Sequence, residues 1–340
     1  MNSKKILVTG GAGYIGAHTV VELIQSGYEP VIIDDLSRSD LTLLNGIEKI
    51  TSVKPTFYNG DCGDKNFVQQ VFKKEGTFKC VMHFAAFKSV GESVTIPLSY
   101  YQNNIGSLVT MLEVMKENNI KDFIFSSSCT VYGQPDQIPV DESAPFKRAE
   151  SPYGATKQMC ERILEDAYKT GFKVISLRYF NPIGAHPSAL LGELPIGVPN
   201  NLLPYVTQTA AGKREKLTVF GDDYNTPDGS CLRDYIHVVD LAIAHVKAMQ
   251  HLDRISEQTA YEVFNLGTGV GVSVLELINK FQQVTGVKLN FTIGARRPGD
   301  VEKVYADPTK VNNELGWTTK FSIEEALLHA WQWEQKLMNK

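Results

Sequence analysis

Six short β-rich runs punctuate the first half of this chain: "KILVTG", "PVIID", "PTFYNGD", "CVMHFAA", "DFIFSSS" and "KVISLRYF". Each reads as a nearly continuous apolar stretch, the signature of a strand covered on both faces. Longer amphipathic stretches separate them, at residues 14–26, 66–74, 99–118 and 153–170. Parallel strands need such a crossover to connect them, so the pattern predicts an α/β fold with a doubly wound parallel sheet. After Phe180 the regularity breaks. "NPIGAHPSALLGELPIGVPNN" is rich in Pro and Gly and reads as a long loop. Helical patterns follow at 202–211, 239–252, 273–285 and 323–336, with β runs at "KLTVF" and "YEVFNLG". The division expected is residues 1–180 as one domain and 181–340 as a smaller mixed α/β lobe, some of whose segments return to the first.

The composition is that of an ordinary globular chain. Of 340 residues, 43% are apolar and 21% charged, and the formal net charge is −4 with no long run of either sign. No general affinity for nucleic acid or an anionic membrane is expected. The cysteines Cys62, Cys80, Cys129, Cys160 and Cys231 are odd in number and scattered, so neither a disulfide framework nor a metal site is expected. No apolar run approaches the 18 or so residues of a membrane span. "MNSKKILVTGG" enters a strand pattern at once and leaves no room for a signal peptide, so a reduced, cytoplasmic setting is expected.

"ILVTGGAGYIG" joins a buried strand to a helix through glycines. Gly10, Gly13 and Gly16 fit G-x-x-G-x-x-G, and Gly11 with the last two fits G-x-G-x-x-G. Such a turn brings backbone close to a pyrophosphate, and the helix N-terminus offers free N–H groups and a positive dipole end. By itself the pattern could be only a tight turn. Here an acid answers it at the end of the next strand, Asp34, 18 residues after Gly16. A carboxylate there accepts ribose hydroxyls and repels a 2′-phosphate, which favours NAD over NADP. Asp61, ending the third strand, is readable either as an adenine contact or as a helix cap.

"SPYGATK" sets Tyr153 and Lys157 on one face of a helix. Alone, that spacing would mean a solvated surface. It follows the end of the fifth strand, "FIFSSSCTVYG", by 25 residues counted from Ser128, and ligands of open parallel sheets bind beyond such strand ends. The lysine charge is expected to lower the phenol pKa by roughly 1–3 units, so that Tyr153 takes a proton from a hydroxyl as hydride leaves for NAD. Ser128 is placed to share the reacting oxygen. Ser126 and Ser127 read as strand-end serines satisfying local backbone.

With these segments, "HFAAFKSVGESV", "YYQNN", "LRYFNPIGAHPS", "GVPNNLLPYV", "FGDDYNTPDGSCLRDYIHVVDLA", "NLGTG" and "RRPGD" extend the match along nearly the whole chain. The sequence resembles the extended short-chain dehydrogenase/reductase family, and within it the UDP-sugar 4-epimerase branch. The resemblance implies a Rossmann-type NAD domain carrying Ser128, Tyr153 and Lys157 as the catalytic set. It implies an NAD site lined by Gly10, Gly13, Tyr14, Ile15, Gly16, Asp34, Asp35, Leu36, Ser37, Ser39, Asp61, Cys62, Phe84, Ala85, Lys88 and Asn103, with Phe180 near the nicotinamide. Asn181, Asn201, Leu202, Thr218, Val219, Phe220, Arg233, Arg297 and Asp300 would hold the UDP-sugar. Arg233 and Arg297 suit diphosphate oxygens, and Asp300 the uridine ribose; without these neighbours any one of them would read as surface ion pairing. The implied reaction interconverts UDP-galactose and UDP-glucose through a 4-keto sugar on retained NAD, and the implied assembly is a homodimer built on the helices at 99–118 and 153–170.

Three other readings compete. A 4,6-dehydratase of the same fold needs an acid/base pair just after the strand-five serine, where this chain has Cys129 and Thr130. A non-catalytic NAD sensor would break the Tyr/Lys pair, which is intact. An epimerase or decarboxylase for UDP-glucuronate stays open as an alternative, but it would want a cationic grip on the carboxylate, for which no residue is placed. In this family the fourth residue after the aspartate of R-x-G-D lies near the sugar's C2 substituent, and here it is Val304. A valine there leaves room for an acetamido group, so UDP-N-acetylglucosamine and UDP-N-acetylgalactosamine are expected as further substrates; the plain alternative is that Val304 is core.

Overall fold

The computed structural model describes residues 3–256, 259–297 and 300–339. Its centre is a seven-stranded, all-parallel sheet. Six strands are β1 (Lys5–Thr9), β2 (Glu29–Asp34), β3 (Thr56–Asn59), β4 (Cys80–His83), β5 (Asp122–Ser128) and β6 (Lys173–Tyr179). The seventh, Ala260–Leu266, comes from the second half of the chain and pairs with β6 at the edge. The spatial order β3-β2-β1-β4-β5-β6 reverses direction between β1 and β4.

The continuous apolar runs have a simple cause. Side chains alternate across a strand, so a strand between two helical layers must be apolar on both faces. In β1, Ile6 and Val8 pack with Val20, Val21 and Leu241 of the helices Tyr14–Gln25 and Val238–Leu252. Leu7, between them, packs on the other side with Val68, Leu108 and Leu164 of the helices Lys65–Glu75, Pro97–Glu117 and Pro152–Ala167. Each such aliphatic side chain contributes about 1.5–3 kcal/mol on burial.

The helix Pro152–Ala167 starts where its sequence dictates. Ser151 caps it, its hydroxyl accepting from Gly154 N at 3.2 Å, and Pro152 occupies the first turn, where no N–H is needed. Its buried positions include Lys157, Cys160, Glu161 and Leu164, so the face turned to the sheet carries two charged residues.

The second lobe gathers around Leu203, Leu217, Phe281, Leu327 and Trp331. The strand Leu232–His237 is its spine, flanked by Gly271–Ser273, Lys303–Val304 and Asn181–Ile183; a separate pair joins Leu217–Phe220 to Phe291–Gly294. Several elements depart from the sequence reading, among them the spine strand Leu232–His237 itself, the strands Gly271–Ser273 and Phe291–Gly294, and the helices Val90–Thr95 and Thr309–Leu315. "NPI", expected within a loop, is a short strand that runs parallel to Leu232–His237. A helix at Leu41–Thr51 was not anticipated, although Asp40 caps it through Thr42 N at 2.7 Å.

Candidate active site

The site lies where the strand order reverses, beyond the carboxyl ends of β1, β2 and β4. Gly10 has φ +72°, and a Cβ there would stand 2.7 Å from the Ala85 nitrogen. A Cβ on Gly16 would stand 2.3 Å from the Gly10 carbonyl oxygen. Only glycine lets this turn close so tightly. The helix Tyr14–Gln25 begins with no side chain capping it, and its first turn faces an open cleft. Its N–H groups and dipole end form a seat for an anion.

Asp34 is buried and held rigidly: it accepts from Ala12 N at 3.0 Å, Leu36 N at 3.0 Å and the Ser39 hydroxyl at 2.6 Å. A carboxylate has about four acceptor positions, so capacity is left for a hydroxyl. Asp35 is exposed and accepts from both the nitrogen and hydroxyl of Ser37. Asp61 accepts from Gly63 N at 2.7 Å, while the cap of the next helix is Asp64, so the helix-cap reading of Asp61 is wrong. The cleft wall includes Gly13, Ile15, Cys62, Phe84, Lys88, Asn103, Tyr153 and Lys157 with the residues just named. Of the sixteen noncatalytic residues expected to line the cofactor site besides Phe180, only Leu36 does not line the cleft; it offers its N–H to Asp34 instead. Glycines a Cβ would block, an uncapped helix end and an oriented buried carboxylate all fit a dinucleotide.

On the far wall, Lys157 and Tyr153 come from the helix Pro152–Ala167, while Ser128, the last residue of β5, does not line the cleft itself but bonds the Tyr153 phenol. Lys157 Nζ donates to the Ser126 carbonyl at 2.6 Å and sits 4.8 Å from the Phe125 ring and 6.0 Å from the Tyr153 ring. Burial pushes the lysine down to about 8. Burial also pushes the Tyr153 phenol up to about 12, while a hydrogen bond from the Ser128 hydroxyl pulls the other way. The expectation that Lys157 would bring this phenol below its ordinary value is therefore not met within the chain. The ammonium is spent on Ser126, and desolvation dominates. Ser127 also departs from its reading: its hydroxyl donates to the buried Glu161 rather than to local backbone.

The expected substrate residues fall in several places. Arg233, Arg297 and Asp300 converge: Arg297 forks onto Asp300 with bonds of 3.1 and 2.7 Å, and Arg233 Nη2 is 3.7 Å from the same carboxylate. The Arg297 guanidinium covers the exposed Phe220 ring at 5.6 Å. Asn201 lines the cleft beside Lys88, both held by Glu193 at 2.6 and 3.0 Å. The Asn181 amide oxygen is buried with no protein partner, a polar atom a ligand can satisfy. Leu202 and Thr218 are partly buried at the start of a helix and in a strand, whereas Val219 points into the lobe's core and can offer only backbone. Val304 and Phe180 pack together in one small core with Val131 and Tyr132. Sequence reading missed Glu193, Arg38 and Tyr179, which line the cleft. Glu193 stands in "GELP", inside the stretch read only as loop, so no periodicity marked it. Among the described residues no cluster of His, Cys, Asp and Glu could hold a metal ion, and no helix is long and apolar enough to cross a membrane.

Glycine turn, oriented aspartate, and a Tyr–Lys pair on the cleft wall with Ser128 bonded to the tyrosine together define an extended short-chain dehydrogenase/reductase. The comparisons narrow this. The family model described as GDP-mannose 4,6 dehydratase matches residues 7–329. The UDP-glucose 4-epimerase of Bacillus subtilis (strain 168) is 49% identical over 98% of each chain. The crystal structure of the UDP-glucose 4-epimerase from Bifidobacterium longum, in complex with NAD+ and UDP, superposes with a TM-score of 0.94 at 44% identity, covering 98% of this chain and 99% of that one. The UDP-Glc/GlcNAc 4-epimerase of Campylobacter jejuni gives a TM-score of 0.83 at 36% identity over 98% and 99%. The chain belongs to the UDP-glucose 4-epimerase family.

Proposed function

We infer that this protein is an NAD-dependent UDP-glucose 4-epimerase that interconverts UDP-galactose and UDP-glucose. The observation that carries the reading is the Tyr153–Lys157 pair on the wall of the same cleft whose floor is the glycine turn, with the Ser128 hydroxyl bonded to the Tyr153 phenol. Bound NAD supplies the hydride acceptor and donor. The chain's own residues do the rest. Tyr153 takes the proton of the sugar's 4-hydroxyl and later returns it, and Ser128 shares the hydrogen bond to that oxygen. Lys157 braces the end of β5 through the Ser126 carbonyl and keeps a cation near the phenol, and the positive charge of the cofactor would oppose the desolvation that holds the phenol high. Arg233 and Arg297 grip the diphosphate, so the 4-keto hexose can turn its other face without leaving. No net redox change results.

The exposed Val94, Leu98 and Val109 around the helix Pro97–Glu117, with Met159 on the helix Pro152–Ala167, support a homodimer joined through these helices. A cytoplasmic setting accords with free rather than paired cysteines. The deciding experiment incubates freshly purified protein with UDP-galactose, without added NAD, and separates the UDP-hexoses. UDP-glucose should appear, and NAD should be released when the protein is denatured. Unchanged UDP-galactose in the presence of bound NAD refutes the reading.

A further inference from the structure

Three consecutive serines end β5, and each meets a different residue of the helix Pro152–Ala167. The Ser126 carbonyl takes the Lys157 ammonium, the Ser127 hydroxyl donates to Glu161, and the Ser128 hydroxyl bonds the Tyr153 phenol. Residues 153, 157 and 161 recur at intervals of four and share one helix face. Glu161 has no exposed surface. A carboxylate so placed requires a partner, and it has several. Arg178 of β6 forks onto it at 2.7 and 3.0 Å, and Tyr261 donates to it at 3.2 Å. Arg178 also donates to the Tyr132 hydroxyl at 2.8 Å, which donates in turn to Asn265 at 2.7 Å.

For fold stability alone this network is an odd choice, because a well-packed apolar pair often serves a buried site as well as an ion pair does. Its position suggests another use. The groups facing Lys157 are Tyr153, Cys160 and Glu161 on its own helix, the Phe125 ring and Ser126 carbonyl on β5, and His83 on β4. Burial pushes the Cys160 thiol up to about 11 and keeps His83 neutral by pushing it down to about 3. Glu161 is the one carboxylate among them.

We propose that Glu161, held by Arg178, is a positioning residue for the proton-transfer pair: it ties the helix to the strand end that carries Ser126 and Ser128, and sets a negative charge one turn behind the Lys157 ammonium. The lysine thus remains a cation inside the cleft wall. Burial works against this, driving Lys157 down, and Cys160 and Glu161 oppose it. The proposal rests on the roles inferred above for Tyr153 and Lys157.

The test compares the NAD-loaded wild type with Glu161→Gln in two ways. Competitive acetylation of Lys157 across pH, quantified on its peptide by mass spectrometry, gives the lysine's titration without reference to turnover. The pH profile of UDP-galactose turnover gives its alkaline limb. Both midpoints should fall by about one pH unit in Glu161→Gln, the lower end of what a close opposite charge supplies. Because Arg178 is then left unpaired, Glu161→Gln/Arg178→Met is measured alongside; both charges are gone, and a smaller shift in the same direction is expected. A Lys157 midpoint unchanged in whichever variant folds overturns the proposal, even if turnover falls. Failure of both to fold assigns the pair to stability and overturns it too. Absence of turnover in the wild type would refute the epimerase reading, whereas the acetylation midpoint would still decide the role of Glu161.

Discussion

Tyr153→Phe removes the phenol oxygen and keeps the ring. With burial holding the phenol at about 12, only about one part in 10⁴ is phenolate at pH 8. Each unit by which the loaded site lowers that value multiplies the competent fraction tenfold, up to about 10⁴ at neutrality. That ceiling agrees with the roughly 10²–10⁴ that general acid–base catalysis contributes, about 3–5 kcal/mol of barrier. We therefore expect kcat for UDP-galactose to fall by about 10²–10⁴. KM should stay within about threefold, because the proposed diphosphate grip at Arg233 and Arg297, and not C4, would supply the binding energy. Initial rates come from chromatographic separation of the UDP-hexoses, with bound NAD quantified in each preparation so that cofactor loss is not mistaken for lost chemistry. A fully loaded Tyr153→Phe within threefold of wild-type kcat would show that another group moves the proton. A loss confined to KM would be equally damaging, since it would make Tyr153 a binding residue.

Arg297→Ala should raise KM for UDP-galactose by roughly 10–100-fold and spare kcat, since hydrogen bonds to a charged group are worth about 1.5–3 kcal/mol; a fall in kcat at constant KM would place Arg297 elsewhere in the mechanism. Acid should unfold the protein early. Burial pushes His18, His83 and His237 down to about 3 and His245 to about 4, from 6.5 in the unfolded chain. Their contribution is fully present above pH 6.5 and is lost as pH falls, at about 2 kcal/mol each by pH 5. Together that approaches the whole stability of a typical domain, so Tm should drop steeply between pH 6.5 and 5, and a flat Tm would contradict neutral burial of these imidazoles. Val304 is small and packs beside Phe180, so wild-type protein should also epimerise UDP-N-acetylgalactosamine and Val304→Tyr should lose that activity selectively. Val304 is already part of a buried core, and inactivity of the wild type on the acetylated sugar would leave it that role alone.

The sheet was legible because the apolar runs of its inner strands have one physical cause, burial on both faces; the edge strand β3, with no buried residue, was readable only as the next run in the series of six. The helix Leu41–Thr51 escaped because "LTLLNGIEKIT" carries Gly46 in mid-helix; there a Cβ would stand 2.4 Å from the Leu190 carbonyl, so the glycine answers to packing with a distant loop. The short strand Asn181–Ile183 escaped for a related reason, its partner Leu232–His237 being fifty residues on. In the site, identities were readable and environments were not. Tyr153 and Lys157 could be placed on one helix face by counting. That burial would hold the phenol at about 12 and turn the ammonium to Ser126 depends on what lies around them. Glu193 and Glu161 were invisible for the same reason, because each acquires its meaning from partners more than fifteen residues away.

The family model that covers nearly the whole chain carries the name of a dehydratase, so fold alone does not choose between eliminating water and inverting a carbon. The choice falls on the turn after β5. Elimination needs an acid to protonate the departing hydroxyl and a base for the neighbouring C–H. Here the turn Cys129–Tyr132 presents a thiol and a threonine hydroxyl. Burial pushes the Cys129 thiol up to about 12, so it is a poor base at working pH, and the Thr130 hydroxyl is buried with no protein partner. Neither releases nor accepts a proton readily enough to drive the loss of water. A 4-keto sugar formed on this wall therefore has one exit open to it, reduction back to an alcohol, and which alcohol depends only on the face it presents. Epimerisation is what the dehydrogenase wall does when its neighbouring turn has no acid and base.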